Sequence, residues 1–413
     1  MTDRAVDYLL VGGGLAAANC ARWLRRSGAD GSILLVGREP DLPYDRPPLS
    51  KGYLRGEESR DEALFQGGAD FYDAEQIEVL TRTSVMKLDL PGRTVTLSDK
   101  REIGFGQALI ATGANVRRLN VPGAELEGIH YLRTFGNSDA IREDAAGKQI
   151  VLIGGSYVAS EVAASLTELG SRCTMVMMEP HALSRSFGPQ AARYFHAVLG
   201  DHGIELYGED ELERFEGAGG RVTTVVTKAG RELPADAVVI GAGVAPDVML
   251  ARRAGLELGE TGGVRVNSRL HSSAPGVYAA GDMAEYESVI HGGRPIRVEH
   301  WDVAFTHGKT VALNMLGRDV AHDVVPYFFA DISDWAAIEY VGPAAEWDRE
   351  VIRGSPDDDA FTVFYLQGGR LEGALTVGRP GDLQHARRLI ADDTEIGDRA
   401  EALGDMSTDL ETI

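Results

Sequence analysis

Cysteine is the first scarcity in this chain: 413 residues hold only Cys20 and Cys173. No C-x-x-C or C-x-x-x-x-C pair exists, so neither a dithiol relay nor a thiolate zinc site is written here, and no metal is expected. Both read as small buried hydrophobes. Long apolar runs are also missing, none approaching the roughly eighteen residues a membrane span needs. Basic residues are outnumbered, 41 Lys and Arg against 63 Asp and Glu, for a formal charge of −22. A field of that sign disfavours nucleic acid and anionic membrane surfaces. The opening MTDRAVDYLLVGGG enters a strand-like run at once, without a signal-peptide or transit-peptide pattern. Cytoplasm is the expected location.

Glycine, by contrast, is abundant at 50 residues, as in α/β enzymes with many tight turns. Two glycine-rich segments resemble each other: DYLLVGGGLAAANCARWLRRSG, ending at Gly28, and QIVLIGGSYVASEVAASLTELG, ending at Gly170. Each runs from an apolar strand through a small-residue turn into an Ala-rich helix. The first fingerprint glycine and the helix-ending glycine stand sixteen positions apart in both, Gly12 to Gly28 and Gly154 to Gly170. Each segment continues into a second apolar strand, SILLVGRE or RCTMVMME, closed by Glu39 or Glu179.

That order meets the demands of dinucleotide binding. A first glycine permits the tight turn, a second lets backbone approach a pyrophosphate, and a small third residue lets helix and strand pack closely. The helix N-terminus then offers free N–H groups to the anion, and the acid accepts ribose hydroxyls. The positions are Gly12, Gly14 and Ala17 in the first copy, and Gly154, Ser156 and Ala159 in the second. Ser156 departs from the pattern: its side chain crowds the pyrophosphate approach, although its hydroxyl could donate to a phosphate. Two such folds imply two dinucleotides, or one dinucleotide and a prosthetic group containing one. FAD plus a nicotinamide satisfies this. Shorter motifs agree in order: ALIATGANVRRLNVPG with Ala111, Thr112 and Gly113, its near echo AVVIGAGVAPD with Gly243, and PGVYAAGDMAEY with Asp282.

From about residue 5 to 345 the sequence resembles the FAD-dependent, NADH-linked reductases of ferredoxins and rubredoxins and their relative, apoptosis-inducing factor. VGGGLAA, PYDRPPLSK, IATGA, IGGSYVASE, GVYAAGD and VEHW carry the likeness. It implies an α/β chain with two Rossmann-like domains and a small α+β C-terminal domain. The FAD domain would be discontinuous, 1–118 and 243–324, with an NADH domain at 119–242 and a C-terminal domain at 325–413. In that last part a Gly-Gly hairpin and a helix around DLQHARRLIA are expected. The stretch from Leu389 onward, with eight acids and one arginine, is expected to be solvated or frayed.

The same resemblance implies site residues. Leu15, Ala16, Arg38, Glu39, Arg46, Val85, Arg133, Asp282, Glu299, His300 and Trp301 fall at FAD positions. Gly155, Tyr157 and Val158 fall at NADH positions. The stiff loop LPYDRPPLSKG would lie against the flavin, its prolines fixing φ so that its two cations arrive positioned. Lys51 would stand at the reactive edge, paired with Glu161, and these two are the catalytic candidates. Relatives often place tryptophan near the flavin where this chain has Phe329. Glu179 would bind the ribose hydroxyls of NADH and repel a 2′-phosphate, with Arg185 nearby.

The resemblance also narrows the electron exit. Disulfide reductases and peroxidases of the wider superfamily carry cysteine near the first fingerprint, but Glu39–Gly56 contains none. Electrons must leave from the flavin itself, with a small ferredoxin-like carrier the leading acceptor. Such carriers are usually acidic, so a local basic patch is needed, with Arg22, Arg25, Arg26, Arg117 and Arg118 as candidates. A diaphorase, quinone reductase or oxidase is the alternative, and a redox-gated interaction protein a third. Monomer and homodimer both remain open.

Overall fold

In the computed structural model, which describes residues 3–413, the chain opens with β1 (Arg4–Val11), α1 (Leu15–Arg26) and β2 (Ile33–Val36). Leu9, Leu10 and Val11 are buried in succession, as happens in a parallel strand covered on both faces. Strands β3 (Ile77–Leu80), β4 (Val85–Asp89), β5 (Thr94–Leu97) and β6 (Glu102–Ile110) extend the sheet, ordered β3-β2-β1-β6-β5-β4. β1 lies parallel to both β2 and β6. The strand order therefore reverses between β1 and β6, and their carboxyl ends form the crevice where such sheets take ligands.

A second parallel sheet follows. It comprises β7 (Ile129–Tyr131), β8 (Gln149–Ile153), β9 (Arg172–Val176), β10 (Glu205–Tyr207) and β11 (Ala237–Ile240), in the order β10-β9-β8-β11-β7. Helix α2 (Tyr157–Glu168) joins β8 to β9, and α3 (Ser184–Asp201) joins β9 to β10. Here the reversal falls between β8 and β11, repeating the first sheet's logic. Helix α3 kinks at Gly188, whose φ of +68° precedes Pro189.

The chain then returns to the first sheet through β12 (Val277–Ala279), which pairs with β6, and continues to β13 (Ala284–Ser288) and α4 (Trp301–Met315). Helix α4 lies close against α1: a Cβ on Gly308 would sit 2.5 Å from the Ala16 carbonyl oxygen. Last come β14 (Tyr327–Ile332), β15 (Ala336–Val341), β16 (Arg349–Ser355), β17 (Ala360–Gln367) and β18 (Arg370–Val377), in the order β14-β15-β18-β17-β16, then α5 (Pro380–Ala391). Gly368 and Gly369 turn the β17–β18 hairpin with φ of +56° and +79°, the positive values a two-residue turn demands. Two compact units result. One holds residues up to Asp45, Asp61–Asn115 and Ala245–Phe328; the other holds Arg46–Arg60, Val116–Val244 and Phe329–Ile413. No helix among the described residues is long and apolar enough to cross a membrane.

The end of the chain corrects one expectation. It does not fray: Ile396, Ala400, Leu403 and Leu410 are buried, and a short helix, α6, spans Ala400–Gly404. The buried Arg353 donates to the carbonyls of Asp405 at 2.5 Å and Thr408 at 3.0 Å, while Arg388 donates to Leu410 at 3.0 Å. The acids are spaced so that they face outward while sparse apolar residues anchor the backbone, and counting charge alone hides this. Accordingly, Leu403→Ala is expected to lower the unfolding free energy by about 2–5 kcal/mol in urea titration. A change under about 0.5 kcal/mol would mean that the tail does not pack.

Candidate functional site

The first fingerprint is shaped by a collision that only glycine avoids. Gly12 has φ of +132°, and a Cβ there would strike the Ala111 carbonyl at the end of β6. Gly14 is the N-cap of α1, with no side-chain cap and no acid in the first turn, and a Cβ there would meet nothing within 4 Å. The space beside Gly14 is thus open, and the first-turn N–H groups of Leu15, Ala16 and Ala17 lie without an intrahelical acceptor. A pyrophosphate fits such a cradle on charge and on room. At the end of β2, Glu39 accepts the Tyr44 hydroxyl at 2.6 Å. Arg38 pairs with Asp247 at 2.9 Å and donates to Asn115 at 2.5 Å, so its cation is engaged by this unit's own residues. The Thr112 hydroxyl donates to the Asp247 carbonyl at 2.6 Å, and Gly113 takes φ of +69°.

In the same unit, Arg297 ties two expected positions together. It donates to the Asp282 carbonyl at 2.9 Å and pairs with Glu299. Trp301 donates its indole N–H to Asp45 at 2.8 Å and stacks on Phe305. His300 lies 4.9 Å from Phe328; desolvation pushes its pKa down to about 4, opposed by a bond to the Tyr327 backbone, so its ring is neutral at pH 7. Val85 opens β4, partly buried against the sheet's core. Sequence reading singled out neither Arg297 nor Asp45, although Asp45 lies within PYDRPPLSK and Arg297 directly precedes VEHW.

The second fingerprint repeats the first, with one difference. Gly154 has φ of +111°, and its Cβ would fall 2.5 Å from the Gly241 carbonyl beyond β11. Ser156 does not reach outward to a phosphate. Its hydroxyl donates to the Gly241 carbonyl at 3.0 Å and accepts the Ala159 N–H at 3.3 Å, capping α2. The Gly155 carbonyl accepts from Leu183 at 2.8 Å, fixing the loop before α3. Tyr157 packs edge-on to Phe187 at 5.4 Å, and Val158 is exposed. Gly243, with φ of +85°, accepts the Arg117 N–H through its carbonyl. Glu179 pairs with Arg185 at 2.7 Å, and the Arg185 side chain is 81% exposed.

The proline-rich loop folds as a 3₁₀ turn, Pro47–Ser50, and a short helix, Gly52–Arg55. Arg46 donates to the Arg133 carbonyl at 2.5 Å, bringing those two positions together. Lys51 Nζ stands 3.4 Å from Glu161, but only 2.7 Å from Asp331, and 5.0 Å above the Phe329 ring. The Ser50 hydroxyl donates to Glu161 at 2.5 Å. Burial pushes the Glu161 carboxyl above its usual range, partly opposed by Lys51 and Ser50. Ser50 and Asp331 are therefore the members of this cluster that sequence reasoning missed; Ser50 sits within the quoted loop, whereas Asp331 comes from the remote strand β14.

Residues 6–308 match the family model described as pyridine nucleotide-disulphide oxidoreductase, and residues 327–413 match the reductase C-terminal family. The chain belongs to the pyridine nucleotide-disulphide oxidoreductase family. Among its relatives, rhodocoxin reductase of Rhodococcus erythropolis is 33% identical over 98% of this chain and 93% of its own length. Putidaredoxin reductase of Pseudomonas putida is 31% identical, covering 98% of this chain and 96% of its own. A ferredoxin reductase structure from Rhodopseudomonas palustris superposes with a TM-score of 0.92 at 33% identity, covering 100% of this chain and 99% of that one. The covalent putidaredoxin reductase–putidaredoxin complex gives 0.91 at 31% identity, covering 100% and 98%.

The family's name notwithstanding, neither thiol here suits disulfide chemistry. Cys20 is fully buried on α1 and Cys173 buried on β9, and desolvation raises the pKa of both, Cys173 to about 11. The electrostatics of the lysine cluster give a test. Lys51→Met leaves Glu161 buried without its cation and is expected to cost about 3–5 kcal/mol. Glu161 holds its proton more tightly folded than unfolded, so this loss should be largest at alkaline pH and shrink as pH falls through the raised pKa. Urea unfolding across pH measures it; a pH-independent loss would contradict the assignment.

Proposed function

We propose that this chain takes hydride from NADH onto FAD and passes the electrons to a ferredoxin-type carrier in the cytoplasm. The observation that carries this is the pair of glycine-forced turns, Gly12 against Ala111 and Gly154 against Gly241, each opening a helix at a sheet's reversal point. In this reading residues 1–118 and 243–324 form the FAD domain, 119–242 the NADH domain and 325–413 the C-terminal domain. FAD supplies the exchange between two-electron and one-electron chemistry. The chain's own residues bind and orient. Helix α1 would take the flavin pyrophosphate and Glu39 the adenosine ribose; α2 would take the nicotinamide dinucleotide, with Glu179 on its ribose hydroxyls. Ser50 and Asp331 hold Lys51 and Glu161 in place for the reacting rings, and the stiff loop keeps that cost low.

A patch for an acidic carrier exists within the first unit, though it is smaller than the arginine count suggests. Arg25 is spent on four backbone carbonyls, of Glu75, Ala29, Gly31 and Gln76, at 2.7 to 2.9 Å. Arg117 is bound to the Val244 carbonyl, and Arg118 lies over Tyr131. Arg22 is half-buried and donates to Asn19 at 3.3 Å, with its Nε buried. Arg26 on α1 is exposed, and so is Lys309 on α4, which sits 4.7 Å over Trp23. In a chain of charge −22, such a cationic face selects an acidic protein by contrast.

Reversing charge with Arg26→Glu and Lys309→Glu should slow reduction of an acidic [2Fe–2S] ferredoxin by roughly ten-fold or more at low salt, with little change at high salt. Reduction of a neutral quinone should be unaffected. Equal losses with both acceptors would contradict docking on this face. On the nicotinamide side, Glu179→Ala should narrow the preference for NADH over NADPH by about ten-fold, read as the ratio of kcat/KM values. An unchanged ratio would remove Glu179 from that role.

A further inference from the structure

We propose that His307 is a positioning residue for the flavin nucleotide: its Nδ1 accepts the Gly281 N–H and so sets the turn that presents Asp282. This rests on the FAD reading of the first unit. The turn follows β12, and Gly281 has φ of +74°; a Cβ there would lie 3.4 Å from Ala16 on α1 and 3.7 Å from Ala304 on α4. It thus lies in ordinary packing contact with the first turn of the helix that would receive the pyrophosphate. Gly281 N–H donates to His307 Nδ1 at 3.2 Å, and His307 is completely buried.

The ring has no freedom to drift. Gly308, the next residue, packs against α1, where any Cβ would fall 2.5 Å from the Ala16 carbonyl. Asn19 on α1 donates to the Phe305 carbonyl at 2.6 Å, locking the same turn of α4. The titratable groups facing the ring are Tyr286 on β13, edge-on at 4.7 Å, and His322 from the segment after α4, at 4.5 Å. His322 shares a hydrogen bond with the Thr310 hydroxyl at 3.1 Å.

The Gly281 bond requires an unprotonated Nδ1, so the hydrogen sits on Nε2. That Nε2 and the Tyr286 hydroxyl are both buried without a protein partner. A sheath of aromatic rings is a costly place for such atoms, and a plain packing residue would avoid the cost. Protonation would turn Nδ1 into a donor aimed at another donor, beside a second imidazole. Burial, then His322, hold the basicity of His307 well below the ordinary histidine range. Because the ring is neutral in the fold and basic once exposed, the cost appears as pH falls below the unperturbed histidine value, and is absent above it.

The test uses wild-type holoprotein, His307→Gln and His307→Leu, with FAD dissociation followed by flavin fluorescence from neutral to acidic pH and apoprotein melting measured alongside. Glutamine keeps a carbonyl acceptor and cannot be protonated; leucine fills space but accepts nothing. His307→Leu should weaken FAD binding by roughly ten-fold or more at neutral pH, and His307→Gln by no more than about three-fold. Wild type should lose FAD on acidification at higher pH than His307→Gln does. Leucine holding FAD as tightly as histidine would overturn the proposal. So would glutamine and leucine losing FAD equally, which would reduce the residue to packing. Wild-type protein that takes up no FAD at all would overturn the flavin reading as well.

Discussion

A missing Cβ governs this structure. At residues 12 and 154 the chain passes so close to a carbonyl of the neighbouring strand that any side chain would collide with it. That approach lets each helix begin directly over a sheet's reversal point, with its N-terminus facing outward. The parallel strands around each turn support this placement: buried strands on both sides hold it, and Ala-rich helices pack tightly enough to keep it there. The first copy leaves its helix end open through Gly14. The second closes part of it through Ser156, which bonds back across the same gap to Gly241.

Electrostatics adds a second layer. A single ammonium, Lys51, faces two carboxylates of unlike character, one buried and hydrogen-bonded by Ser50, the other half-exposed and closer. Asp331 also offers its backbone N–H to Glu161, so both carboxylates and the cation form one connected group. Such a group is positioned by several bonds at once, and neutralising the buried acid need not release the lysine. The prolines of the preceding loop make the arrangement inexpensive in chain entropy.

Much of the fold was legible in the sequence because its strongest constraints are local. Strand, glycine turn, helix and acid fall within about thirty residues, so the repeat declares itself, and the echoing motifs around Ala111 and Gly241 mark the strands that close each gap. Lys51 and Glu161 could be matched only through motif resemblance. Asp331 could not be found this way, since its role depends on a strand whose register no local pattern reports. The acidic tail misled for a related reason: its composition is that of a solvated segment, whereas its few apolar residues and the partners of Arg353 decide its structure. The same holds for Arg25, which reads as a surface cation and acts as a carbonyl clamp.

If one polypeptide holds both nucleotides so that one reduces the other, anaerobic titration of the purified yellow holoprotein with NADH will show it. Roughly one equivalent should bleach the flavin absorbance, and admitting an oxidised ferredoxin should restore it. A folded protein that carries no flavin, or a flavin that NADH leaves oxidised, would rule this electron path out.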